Sequence, residues 1–431
     1  MTDATPRWAE PSTPADLHLP PAFVGDHAVR TLAYQGAMTP SELALRWRVD
    51  DAIVTDVVDS LKAGGLIELD GGQATFGPGG RVRLTATGQE RVAAARRRTW
   101  YAGPIPVALS DFGQRMDLAL PDPPGEFAAA DVLVGLAMPS HLASEIAQAI
   151  RSGATVGLRG ATFDEQPAIT QALGQSLNGD VSLPYAVYAA GAIVRVFDVR
   201  YHHVRAMEEP DGAALDVLRT RQSHTQWASI ARPVVTLSGG VHSSDVLPAY
   251  DEEARFYVAP MPFSACRGLL AVFDCDTNPA GLADLARLWL IPGRHHTGLL
   301  MLRSGERIEI PWRVATLLFG DARAALPTAL RGAVSYSIDV AELDSMTRPL
   351  FLSLRLGGLL SSDGIASLAG LLKRRGLTTR LAAVQACQYL RDRVAYEGAA
   401  FALDESVSQQ AVDFAAAADD GQARNDLRAA S

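Results

Sequence analysis

The chain has 431 residues, 48% of them hydrophobic and 20% charged, so it exceeds one typical domain and can bury two or three cores. A formal net charge of −9 argues against a general electrostatic hold on nucleic acid or acidic lipid. Three widely spaced cysteines (Cys266, Cys275 and Cys387) make no disulfide framework and fit a reducing cytosol. With no leader-like start and no run of about 18 apolar residues, the sequence predicts a cytoplasmic protein without membrane insertion.

In chain order, proline-rich residues 1–20 read as a disordered arm. Residues 21–100 read as three helices, a hairpin and a fourth helix, the order of a winged-helix domain. Thr39-Pro-Ser-Glu42 has the form of a capping box. Val54, Val57, Val58 and Leu61 share one helical face ahead of the Gly64-Gly65 stop. Winged helices often read DNA with the third helix, yet residues 26–100 hold ten Lys/Arg against nine Asp/Glu. The third helix carries Asp50, Asp51, Asp56 and Asp59 against Lys62, a sequence that phosphates would repel. Arg96-Arg97-Arg98 is basic but suits a helix C-terminus. Docking to protein is the favoured use of this domain, with DNA second.

Residues 101–126, ending in "LPDPPGE", read as a linker. From 127 to 340, apolar runs at 155–158, 192–199, 233–238, 269–274, 314–319 and 333–338 alternate with helical stretches, which predicts a buried, mostly parallel sheet. "GLLMLRSGERIEIPW" reads as an inserted hairpin turning at Ser304-Gly305. Residues 341–414 read as helical, and 415–431 as a disordered tail.

The segment "VGLRGATFDEQPAIT" (156–170) has the outline of a phosphate-binding strand–loop–helix. Such a loop needs glycines for backbone approach, a lysine for the β/γ-phosphates and a hydroxyl for magnesium. Gly160 is in place, but Phe163 and Glu165 are large, Gln166 lacks the charge, and Pro167 has neither hydroxyl nor N–H. "GLLAVFDCD" (268–276) is an apolar strand ending in Asp274, the form of the second nucleotide motif. Its next position is Cys275, and Asp276 falls one residue late. Paired histidines (202–203 and 295–296), with His242, lack metal-ligand spacing and read as loop histidines. Ser243, Ser244 and Asp245 beside His242 lack the G-x-S-x-G elbow of a hydrolase.

On "RVRLTATGQERV", "TWYAGPIPVALSDF", "VFDVRYHH", "ARPVVTLSGG", "YDEEARFYVAPMPFSACRGLLAVFD" and "LRDRVAYEG", the chain from about 22 to 414 resembles bacterial AAA-type ATPases with an N-terminal winged helix. The resemblance implies an α/β, P-loop NTPase-like fold with a C-terminal helical lid. It also implies a degenerate nucleotide site whose remnants are Gly160, Gln166 and Asp274, with Asp276 and Arg331 as further catalytic remnants. The stretch that aligns with 274–279 begins Asp-Asp in the family. The polar sensor falls near Gly320-Asp321-Ala322, the lid arginine at about Val384, and Arg331 matches a finger-type arginine. With lysine, hydroxyl, carboxylate and sensor all lost, the expected role is a scaffold or regulatory pseudo-ATPase. No cofactor is expected, unless residual binding of ATP and magnesium persists. The expected partner is a protein, either an active AAA-type subunit or further copies of the chain. The alternatives are an ATPase using Asp274, Asp276 and Arg159 or Arg331 unconventionally, and a DNA-binding transcription regulator.

Overall fold

The structure, a computed structural model, describes residues 10–70, 80–118, 140–161, 165–177, 179–204, 225–238, 240–275, 278–320, 328–339, 360–378, 380–398 and 404–429. It is a mixed α/β protein whose centre is a five-stranded, all-parallel sheet.

The N-terminal helices are set by local signals. The Thr39 hydroxyl accepts the Glu42 N–H while the Glu42 carboxylate accepts the Thr39 N–H, closing the capping box ahead of Pro40–Trp47. Asp50 caps Asp51–Ala63 by accepting the Ala52 N–H. That helix buries Ile53, Val54, Val57, Val58 and Leu61 against Pro21–Gln35 and the antiparallel pair Ile67–Leu69/Val82–Leu84. Gly88, in the helix Ala86–Arg96, allows the close approach of Leu66: a Cβ there would stand 2.1 Å from the Leu66 carbonyl oxygen.

Two stretches are more ordered than their composition predicts. In place of a wholly disordered arm over 1–20, Pro14–Leu17 forms a 3-10 turn and buries Leu17 and Leu19 in the N-terminal core. Burying one leucine stabilises by about 1.5–3 kcal/mol, enough to offset ordering a residue or two of proline-stiffened chain. Residues 101–118 are no linker either. Tyr101 and Ile105 are buried, Val107–Ala108 is a strand, and Leu109–Leu118 is a helix that seats Phe112 and Met116 in the central core. The "LPDPPGE" stretch lies outside the described residues, apart from its neighbours up to Leu118.

The parallel sheet runs, edge to edge, Tyr336–Asp339, Thr155–Arg159, Ala315–Gly320, Leu269–Val272, Val234–Leu237. Its strands are apolar on both sides because both faces are covered. Val156, Leu158, Leu269, Ala271, Leu317 and Phe319 pack on the helices Ser140–Arg151 and Glu165–Ser176. The alternate residues Val235, Leu237, Leu270, Val272 and Leu318 face a second cluster holding Leu282, Leu285 and Trp289.

The run at 192–199 departs from expectation. Its strand, Ala192–Arg195, belongs to a separate mixed sheet in the order 249–251, 256–258, 192–195, 186–189, 107–108. Ala186–Ala189 and Ala192–Arg195 form a hairpin whose turn, Ala190-Gly191, has φ of 50° and 77°, the left-handed pair that suits a two-residue connection. Asp180–Pro184 pairs antiparallel with Trp227–Ala231. The hairpin Thr297–Met301/Arg307–Pro311 turns through Gly305 at φ 84°. Helices Ser362–Arg374, Arg380–Glu397 and Glu405–Ala429 share a core of Ile365, Leu368, Leu372, Ala386, Leu390, Ala411 and Ala415. The last of these helices continues through the stretch whose composition predicts a disordered tail.

Candidate functional site

In an open parallel sheet, ligands gather at the carboxyl ends of the strands where the strand order reverses. Here that point is the strand Thr155–Arg159. It lies between the last two strands of the sheet, while the chain continues from it to Val234–Leu237 at the far edge. The segment that leaves it is the suspected phosphate loop.

Gly160 takes φ 82°, a conformation that glycine adopts without strain. Its N–H donates to the Gly320 carbonyl at 3.0 Å, extending the sheet ladder, so this amide is committed to the sheet and not turned toward a phosphate. The Gln166 side-chain amide donates back to the Ala161 carbonyl at 3.3 Å and is buried, tying the end of the loop to its beginning. Pro167 is exposed in the first turn of the helix Glu165–Ser176. Thr162, Phe163 and Asp164 lie outside the described residues. Glu165 opens the helix and is 1% exposed. A carboxylate in a first helical turn interacts favourably with the positive end of the helix dipole. That is the interaction a bound phosphate would otherwise make.

The other residues read as remnants are spread along the same edge. Asp274 follows the strand Leu269–Val272 in the left-handed region, with φ 54°. That backbone reversal breaks the alternation of faces, so Cys275 turns into the core: it is fully buried, its N–H donates to the Phe319 carbonyl, and its thiol lies 3.6 Å from the Val272 carbonyl oxygen. The position read as a lost second carboxylate therefore faces the hydrophobic cluster. Asp276, Asp321 and Ala322 lie outside the described residues. Arg331 ends the short helix Thr328–Arg331 and is exposed. Val384, at the position of the lid arginine, lies on the helix Arg380–Glu397 and is exposed.

Asp339 went unnoticed in the sequence. It ends the edge strand in register with Arg159, and the two side chains approach to 3.6 Å. Arg159 Nε is buried without a hydrogen-bond partner among the described residues. Its signal in sequence is an acidic residue closing the apolar run 333–338, the same pattern as at Asp274. The strand ends and loop exit thus carry the carboxylates of Glu165, Asp274 and Asp339 and the guanidinium of Arg159. An excess of acids disfavours a triphosphate.

The other polar residues have structural uses. His202 is buried in the loop that follows the strand Ala192–Arg195, accepting the Asp198 N–H at Nδ1 (2.9 Å) and facing the Ser264 carbonyl with Nε2 (2.9 Å), which fixes a neutral tautomer. Burial holds its pKa below the ordinary histidine value. The Ser243 hydroxyl donates to Asp284 at 2.7 Å, and Asp245 accepts the His242 N–H at the head of a helical turn, so these residues form no nucleophile–base pair. Among the described residues no three His, Cys, Asp or Glu side chains converge as a metal site, and no helix is long and apolar enough to cross a membrane.

No family model matches the chain. It is 36% identical over 103 residues, 22% of its length, to an uncharacterized HTH-type transcriptional regulator of Mycobacterium bovis. It is equally similar to an HTH-type transcriptional regulator of Mycobacterium tuberculosis. The chain spans 64% of the length of these curated relatives. A chain from the complex between magnesium chelatase subunits BchI and BchD aligns over 64% of this chain and 90% of its own length, at 15% identity and a TM-score of 0.31. A score that low establishes no shared fold.

Proposed function

We propose that this protein is a non-hydrolysing relative of the AAA-type ATPases, a cytoplasmic scaffold or regulatory subunit that works through protein contacts. The observation that carries the reading is the switch-point loop. A strand, loop and helix stand where a nucleotide-binding core places its phosphate loop. Yet the Gly160 amide is bonded to the sheet, Gln166 is folded back on Ala161, and the helix opens with a buried glutamate. On this reading residues 21–100 are a winged-helix docking domain and 341–414 a lid remnant. Arg331, exposed beyond the sheet, is the residue offered in trans to an active subunit's nucleotide, or to a second copy. Equilibrium titration with a fluorescent ATP analogue tests the proposal. No saturable, magnesium-dependent binding is expected at micromolar concentrations. Binding in that range, abolished by Asp274→Asn, would favour an unconventional ATPase instead.

A second reading, a DNA-binding transcription regulator, is favoured by the match to the mycobacterial HTH-type regulators. Against it, the helix Asp51–Ala63 exposes Asp51, Asp56 and Asp59, with the capping Asp50 beside them, on the side that would enter a groove. Four carboxylates there oppose the counterion release that drives binding to DNA. A salt-dependent gel shift on a promoter fragment would restore the DNA reading, and no shift at low salt would remove it.

A further inference from the structure

Away from the sheet edge, a cavity of about 740 Å³ opens between the first helix, the mixed sheet and the inserted hairpin. Its size falls within the range of small-molecule sites, roughly 300–1,000 Å³. Pro20 and Phe23 begin one wall, the left-handed turn Ala190-Gly191 forms another, and Tyr250 and Tyr257 a third.

The charge of this cavity differs from that of the chain. Arg30, Arg98, Arg255 and Arg303 line it together with Asp26, Glu252 and Glu306. Asp26 is bound by both Arg91 (2.7 Å) and Arg98 (3.0 Å), one carboxylate between two guanidinium groups, so a positive charge is left over there, while Glu252 and Arg303 offset each other. Arg255 donates to a carbonyl, that of Arg97, at 2.5 Å. Glu306 is exposed at the rim.

Arg30 is the unusual member. It is only 2% exposed, and its hydrogen bonds go to neutral groups, while the nearby Asp26 pairs with Arg91 and Arg98. Its Nε donates to the Tyr101 carbonyl at 3.1 Å and its Nη2 points to Nδ1 of His27 at 3.4 Å. Both partners are neutral, and burial pulls the guanidinium pKa down to about 10. Asp26 on the same helix favours its charge and Arg98 opposes it, but Asp26 is already shared between Arg91 and Arg98, so Arg30 has no carboxylate of its own. A buried guanidinium so placed is costly, and its planar fork is built for an oxyanion.

We infer that this cavity is a binding site for a small organic oxyanion, a carboxylate or a phosphate monoester, held by Arg30 at its base and Arg98 at its mouth, with the aromatic walls receiving the organic part. The site is separate from the switch-point loop and does not depend on how that loop is read.

Calorimetric titration of the full chain with benzoate and with phenyl phosphate tests the inference and separates the two anion sources, with benzylamine as the cationic control. Saturable binding of at least one anion and none of the amine is expected. Arg30→Gln should weaken that binding at least tenfold. The same variant could perturb the fold through Tyr101, so Arg98→Ala, which truncates an exposed side chain and leaves Arg91 on Asp26, is the second variant and should weaken binding severalfold with an unchanged melting transition. Arg159→Gln should leave binding unchanged, which distinguishes this cavity from the sheet edge. The inference is overturned if neither anion saturates at millimolar concentration, if Arg30→Gln and Arg98→Ala both bind as the parent does, or if Arg159→Gln alone abolishes binding.

Discussion

Restoring the second carboxylate of a nucleotide motif by Cys275→Asp looks, from sequence, like a step toward a working ATPase. The fold predicts a destabilised protein instead. Cys275 is fully buried in the core cluster that also holds Leu270, Val272, Leu282 and Leu285, and its thiol faces the Val272 carbonyl oxygen at 3.6 Å. A carboxyl there sets an acceptor against an acceptor, and burying a poorly satisfied polar group costs about 2 kcal/mol even when protonated. Ionisation costs more. If burial raises the carboxyl pKa by about 2 units, the charged form adds about 2.7 kcal/mol. The expected loss is therefore about 2 kcal/mol at pH 4 and about 5 kcal/mol at pH 7, a large part of the stability of a typical domain. The sign follows from proton counts. Between the unfolded and the raised folded pKa the native state holds the extra proton, so stability falls as pH rises. Urea unfolding, followed by the fluorescence of Trp289 and Trp312 in the same cluster, measures it at both pH values. Cys275→Ser serves as the comparison, with a loss of about 1–2 kcal/mol and no pH dependence. A Cys275→Asp variant as stable as the parent at pH 7 would refute the reasoning, since the side chain would then have to point out into the nucleotide site.

Buried histidines make the parent acid-sensitive. Burial lowers the His27 pKa to about 3 and also depresses that of His202, so the unfolded chain binds protons that the native one refuses below about pH 6.5. Stability should drop by about 2 kcal/mol between pH 7 and pH 5 from His27 alone, with His202 adding in the same direction, and His27→Gln should flatten the urea-midpoint profile. Gly281→Ala would place a Cβ 1.7 Å from the Val241 carbonyl oxygen. A loss of about 3 kcal/mol or more is expected from such backbone overpacking, read as a lowered melting temperature. Replacing Asp51, Asp56 and Asp59 with lysine reverses the exposed charge of their helix without touching its buried face. The variant should fold normally and acquire salt-dependent DNA binding that the parent lacks in gel shift. If the parent already binds as tightly, the acidic helix is not the face presented to DNA.

Where local chemistry suffices, the sequence by itself determined the structure. The Thr39/Glu42 box, the apolar face of 51–63, the hairpin at Ser304-Gly305 and the five strands of the parallel sheet depend on side-chain period, capping and turn residues that act within a few positions. Tertiary packing decided the rest. Of the mixed sheet only the run at 192–199 reads as a strand, because its strands are two to four residues long, too short for periodicity, and gain stability from neighbours distant in sequence. By composition 1–20 reads as a disordered arm and 101–126 as a linker, yet Leu17, Ile105 and Phe112 are buried at 0–1% exposure, a gain that no local window registers. At the site, the missing lysine and hydroxyl were legible as letters. That Gly160 is bonded to Gly320, that Asp339 meets Arg159, and that the left-handed Asp274 turns Cys275 inward were not. Each depends on which strands lie side by side, and strand order is set by long-range packing.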